Sequence, residues 1–144
     1  MSQPRIAITM GDPAGVGPEI IVGSWSRPEV HAHCRPFVVG HPEIVRRACQ
    51  LLGSRAQVVE IKTIGDSQPA ADVIPCLRAV GDDALAIAPG AVDPRGGQAS
   101  YDALVAAARL ALAREVDALV TAPLSKIALE RAGHHYPGHT ELLA

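Results

Sequence analysis

Three short stretches of this 144-residue sequence hold residue types suited to chemistry. The first is Gly11-Asp12-Pro13-Ala14-Gly15-Val16-Gly17-Pro18-Glu19. Glycines at this spacing permit positive φ and close backbone approach to a ligand. Free N–H groups at a following helix start can receive a phosphate or carboxylate. The pattern is neither the dinucleotide fingerprint GxGxxG nor the phosphate loop GxxxxGK[ST]. A tight turn in which Asp12 satisfies local N–H groups explains the loop about equally well, although nine specified residues in one stretch favour a site. The second stretch is Thr121-Ala122-Pro123-Leu124-Ser125-Lys126. Lys126 can bring a point charge to an anionic substrate, or be a solvated charge behind a capping Ser125, as most lysines are.

The third stretch is Gly133-His134-His135-Tyr136-Pro137-Gly138-His139-Thr140-Glu141. His135 and His139 have the H-x3-H spacing of metal sites. Pro137 and Gly138 lie between them, so no helix aligns the two rings, and the metal reading weakens. His139 and Thr140 suit hydrogen bonds to a substrate's phosphate or hydroxyls instead. His134 and His135 read as exposed loop residues, and Thr140 has a competing reading as an N-cap. His31, His33 and His41 receive no role. Tyr101 reads as core or partner-facing. Gly96-Gly97-Gln98 is a weaker candidate for another ligand-facing turn.

The elements that must position these residues alternate. Arg5–Met10 reads as a strand that stops at Gly11-Asp12-Pro13. A helix starts near Gly17, with Pro18 at its first position and Glu19 in its first turn. Pro36–Gly40 is a second strand, Pro42–Leu52 a helix stopped by Gly53, and Ala56–Ile61 a third strand. Residues 63–97, rich in proline and glycine, suggest short strands around Ile74 and Ala84–Ile87. From Gln98, the stripe Tyr101, Leu104, Val105, Ala108 and Leu112 marks an amphipathic helix. Asp117–Ala122 is then a strand, and Ser125 opens a helix through Ala132 that Gly133 ends. Such alternation predicts an α/β fold with a mostly parallel sheet flanked by helices, its site at the carboxyl ends of strands.

Composition narrows the class. Hydrophobic residues make up 48% and charged residues 19%, enough to bury a core. With 3% aromatics, that core must rest on Ala, Val, Leu and Ile. A net charge of -2 and no basic run argue against nucleic acid. Cys34, Cys49 and Cys76 are widely spaced and odd in number, which reads as reduced thiols. No signal peptide or membrane-length apolar run is present, and the expectation is a soluble cytoplasmic protein. The chain stops at Ala144, just after Thr140-Glu141-Leu142-Leu143 opens another helix, so a fragment is expected.

Together the motifs resemble the 4-hydroxythreonine-4-phosphate dehydrogenase (PdxA) family. TMGDPAGVGPEI at Thr9–Ile20 looks like its opening signature. GGQASYDALVAA at Gly96–Ala107 looks like its long central helix. DALVTAPLSKIALERAGHHYPGHTELLA at Asp117–Ala144 follows its strand, Pro-x-x-Lys and Gly-His-Thr-Glu pattern. The resemblance implies the isocitrate/isopropylmalate dehydrogenase-like fold, with residues 1–144 as an N-terminal portion whose sheet needs later strands.

It also implies an activity. The family oxidises 4-phosphohydroxy-L-threonine with NAD and a divalent metal (Zn, Mg or Co), with decarboxylation, on the route to pyridoxal 5′-phosphate. The site forms at a homodimer interface. By this resemblance His139 and Thr140 contact substrate, Lys126 has a catalytic or substrate-side role, and Gly11 and Asp12 line the cofactor cleft. The metal-binding histidines are expected beyond residue 144, and none is assigned here. The chain alone is expected to be poorly active or inactive. Two other readings are a related dehydrogenase of D-threonate or D-erythronate 4-phosphate, and an inactive remnant or interaction module. An acyl-phosphate enzyme of related architecture finds no matching nucleophile.

Overall fold

The computed structural model describes residues 2–144. Five parallel strands form one sheet in the order β3-β4-β2-β1-β5. They are β1 (Arg5–Thr9), β2 (Arg35–Gly40), β3 (Gln57–Ile61), β4 (Val73–Arg78) and β5 (Ala118–Thr121). The helices are α1 (Gly17–Trp25), α2 (Pro28–His33), α3 (Pro42–Leu52), α4 (Pro94–Leu112), α5 (Lys126–Arg131) and α6 (His139–Leu143). The mostly parallel α/β architecture expected from the alternation is present.

The chain moves from β1 to β2 in one direction across the sheet and from β4 to β5 in the other. Right-handed crossovers therefore put α1 and α4 on opposite faces. α3 packs on α1 and over β3, while α4 lies across β1, β2 and β5 and carries α5 against its outer side. From the adjacent strands β1 and β5 the chain goes on to opposite faces of the sheet, which makes their carboxyl ends the switch point. That is the crevice where ligands bind in open α/β sheets.

Central strands are apolar because both faces are covered. Ala7, Val38, Val39, Ile74 and Cys76 are fully buried. Trp25 closes one end of the core, and its indole N–H is shared between the Ala70 and Val73 carbonyls at 2.8 and 3.0 Å. α3 has the expected limits: His41 accepts the Glu43 N–H at its start, and Gly53 ends it in the left-handed region at φ 64°.

Four expectations need correction. Pro18 is the second helical residue, after Gly17. Ala84–Ile87 is no strand; Asp82–Ala86 forms a 3-10 turn. α4 begins at Pro94 rather than Gln98 and takes Gly96 and Gly97 into its first turns. Its buried face is Ala99, Ser100, Ala103, Leu104 and Ala107, not the stripe ending at Leu112, which is 85% exposed. The small-residue face wins because it lets the helix sit close to the sheet, while the last turn overhangs it. Cys34, Cys49 and Cys76 are free thiols. No described helix is long and apolar enough to cross a membrane.

Candidate functional site at the carboxyl edge of strands β1 and β5

The loop after β1 and the loop after β5 are sewn together by their backbones. The Asp12 N–H donates to the Pro123 carbonyl at 3.1 Å, and the Ala122 N–H to the Thr9 carbonyl at 3.1 Å. This crossing explains the first glycine. Gly11 has φ 76°, and a Cβ there would stand 2.2 Å from the Pro123 oxygen. Gly17 is excluded from having a side chain by the Met10 carbonyl, 2.3 Å from its would-be Cβ. Both glycines thus serve close approach of the chain to itself.

Asp12 is 5% exposed. Its Oδ1 accepts the Ala14 N–H at 2.8 Å, and the same oxygen occupies the space beside Gly96, 2.7 Å from where a Cβ would lie. Burial pushes the Asp12 carboxyl above its ordinary value, the Ala14 N–H pulls it back, and the nearby Asp93 carboxylate raises it again. Gly97 abuts the Ala128 carbonyl, with only 2.0 Å left for a Cβ. The glycine pair that read as a faint ligand-facing turn is therefore the point where α4 meets the first loop and α5.

The third loop arrives on top of these. Gly133, at φ 90°, releases the chain from α5, whose start is capped by Ser125 accepting the Ala128 N–H. His139 opens α6, and its Nε2 lies 3.2 Å from the Ala122 carbonyl. A carbonyl only accepts, so in the neutral ring Nε2 carries the proton and Nδ1 is left as an acceptor. Lys126 is exposed at the first position of α5. Its stem lies beside Gly138, with Cε 3.5 Å and Nζ 4.0 Å from where a Cβ would be. Thr140 is exposed one residue further on. Gly11, Asp12, Lys126, His139 and Thr140 thus share one edge of the sheet, on three loops.

His134 is not the free loop residue its sequence suggested. Its ring stacks on Tyr101 at 3.6 Å and 6°, and its Nε2 pairs with Gln98 Oε1 at 2.8 Å. His135 remains exposed. His41 is also more than a loop residue. It is 3% exposed, caps α3, and pairs through Nε2 with Asp82 at 2.8 Å. Arg78 binds the same carboxylate. The only signal in the sequence was His41 directly before Pro42.

Among the described residues, no group of three or more His, Cys, Asp or Glu is gathered around a common point. The N–H groups of Asp12, Ala14 and Gly15 are engaged within the chain. What lies beside the first loop is an apolar cavity of about 700 Å³, walled by Ala14, Val16, Ile44, Leu51 and Ile87.

Comparison with known proteins points one way. The family described as Pyridoxal phosphate biosynthetic protein PdxA matches residues 32–144. A 4-hydroxythreonine-4-phosphate dehydrogenase of Trichlorobacter lovleyi is 44% identical over 143 residues, covering 99% of this chain and 43% of that protein. A D-threonate 4-phosphate dehydrogenase of Pectobacterium atrosepticum is also 44% identical, over 142 residues, with 96% and 43% covered. The crystal structure of a 4-hydroxythreonine-4-phosphate dehydrogenase from Burkholderia phymatum superposes with a TM-score of 0.93 at 38% identity, over 100% of this chain and 43% of that one. The chain spans well under half the length of these relatives. Matched by the family model over most of its length, the chain belongs to the PdxA family of oxidoreductases.

Proposed function

We propose that the protein to which these residues belong oxidises the secondary alcohol of 4-phosphohydroxy-L-threonine with NAD, followed by loss of carbon dioxide, on the route to pyridoxal 5′-phosphate. The observation that carries this reading is the placing of His139 and Lys126 together at the switch point of a PdxA-family sheet.

Each residue has work that its geometry permits. His139 is anchored through Nε2 on the Ala122 carbonyl, so its Nδ1 edge can accept from a substrate hydroxyl, or donate to an oxyanion once protonated. Lys126 offers a mobile charge for a phosphate. Thr140 adds a hydroxyl. The first loop, fixed to Pro123 by Asp12, forms the floor. A divalent metal would polarise the reacting oxygen, and NAD would accept the hydride. The metal ligands and the NAD phosphate cradle belong to residues outside this chain in the proposed whole, which works as a cytoplasmic homodimer.

A second reading, oxidation of D-threonate 4-phosphate, has its own support in the Pectobacterium relative, as similar as the Trichlorobacter one. NADH formation by the full-length protein, assayed with both phosphates and with chelator, separates the two. Oxidation of neither substrate by metal-loaded protein overturns both readings. An unchanged rate in a His139→Ala variant removes His139 from the site.

A further inference from the structure

At the opposite end of the sheet from the crossed loops is a cavity of about 360 Å³ with a different character. Arg5 and Arg35 are partners in the parallel register of β1 and β2. Register partners on neighbouring strands project to the same face. Both guanidinium groups therefore leave the sheet side by side, and both residues line the cavity. Like charges so placed repel. Neither forms an ion pair with a described carboxylate. Arg35 spends one N–H on the Ser67 carbonyl at 3.1 Å, which aims its planar fork but leaves its charge uncompensated. Asp117, also in the wall, accepts the Arg5 backbone N–H at 2.7 Å, so one of its two carboxylate oxygens is engaged by the main chain.

Ser67 supplies an independent observation. It lines the same cavity and is 8% exposed, yet its hydroxyl is buried with no hydrogen-bond partner. A buried hydroxyl without a partner costs free energy. Gly65 lies beside it in the wall and adds backbone without bulk. Two guanidinium groups without an ion-pair partner, one of them spending an N–H on the Ser67 carbonyl, and an orphaned hydroxyl buried in the wall match an oxyanion with several acceptor oxygens.

We propose that this cavity binds a small phosphate, either free or as the monoester group of a small metabolite. The site is separate from the proposed catalytic edge. Arg5 and Thr9 bound β1, and a strand rises ~3.3 Å per residue, so the two ends lie roughly 13 Å apart along the strand alone. A ligand here would hold together β1, β2 and the segment carrying Ser67.

Calorimetric titration of the full-length protein tests the proposal, with inorganic phosphate and glycerol phosphate as probes. Four variants are compared: Arg5→Gln with Arg35→Gln, Arg35→Lys, Ser67→Ala and His139→Ala. Phosphate binding about tenfold weaker in the double variant and several-fold weaker in Ser67→Ala, but retained in His139→Ala, supports the site. Arg35→Lys, which keeps the charge and loses the fork, serves if the double variant fails to fold, and is expected to weaken binding too. Tighter binding of glycerol phosphate than of phosphate assigns the site to a monoester; the reverse order assigns it to the free ion. Binding that is lost in His139→Ala and untouched by the arginine and serine changes overturns the proposal, as does no binding by the wild type.

Discussion

Asp12 Oδ1 occupies the space that a side chain at Gly96 would need, with 2.7 Å between that oxygen and the position of a Cβ. The buried carboxyl of the first loop and the first turn of α4 thus fit together only while residue 96 is glycine. Gly96→Ala is expected to destabilise the protein by about 1–3 kcal/mol through overpacking. Gly97→Ala should cost more, since it meets the backbone carbonyl of Ala128, which cannot rotate away. Urea midpoints would show it. Equal stability of wild type and Gly97→Ala would mean that α4 and α5 are free to separate.

The pH dependence of the same carboxyl runs against the usual acidic trend. Burial raises the Asp12 pKa above its ordinary 3.8, so the folded state holds that proton more tightly than the unfolded state. Its contribution is fully present below the unfolded pKa and is lost as pH rises through the folded one. Asp12→Asn keeps an oxygen for the Ala14 N–H and carries no charge. Its stability should therefore gain on the wild type as pH rises from about 3 to about 7. Parallel stability curves for the two proteins would remove the burial argument.

His139 makes one hydrogen bond to the chain, to Ala122. Its removal should leave stability within about 1 kcal/mol and lower kcat/KM by roughly a hundredfold, the loss of one charge-assisted contact or two neutral ones. Lys126→Ala is expected to raise KM for the phosphorylated substrate, and Lys126→Arg to recover part of it. Both are read from steady-state kinetics of the full-length protein. A fall in melting temperature that parallels the fall in activity would make His139 structural.

The thiols should differ sharply in reactivity. Cys76 is fully buried, which pushes its thiol up to about 12. Cys49 is buried as well, and Cys34 only half-buried. At about pH 8, a thiol-specific chromogenic reagent should label Cys34 alone in the native protein, and all three after denaturation. Because the folded Cys76 resists ionisation, its stabilising contribution is lost as pH rises beyond the ordinary thiol value of 9.0. Fast native labelling at three sites would show that the sheet opens readily.

A Cys34→Ala variant sharpens that experiment, because any remaining native labelling then reports the two buried thiols directly.

Elements governed by local chemistry were legible in the sequence. α3 is bounded by His41-Pro42 and Gly53, and its limits are as read. The strand before Gly11 and the cap at Ser125 are likewise local. The start of α4 was hidden because Gly96 and Gly97 are poor helix formers. They are glycines because Asp12 and Ala128 leave room for nothing larger. Both partners are distant in sequence, so no window of residues reveals them. The buried face of α4 was misread for a related reason: alanines mark a close helix–sheet contact, while hydrophobicity alone points to the larger Leu112. At the site, residue types nominated His139 and Lys126, but only the fold brings their loops together. His134 looked solvent-facing until Tyr101 and Gln98, more than thirty positions earlier, met it.

The placing of β5 beside β1 also sets a clock on synthesis. β1 ends at Thr9 and β5 begins at Ala118, so one flank of the first strand waits for most of the chain to be made. At ~5–20 residues per second, that wait is roughly 5–20 s. β2 closes the other flank early, leaving a half-finished sheet whose open side is the very edge that later carries the crossed loops. Such a nascent chain offers unpaired backbone groups to any neighbour on the same message. The most delayed pairing in the sheet is therefore the one that builds the crevice, and slowing or pausing translation before residue 118 should prolong the period in which the protein is vulnerable to aggregation.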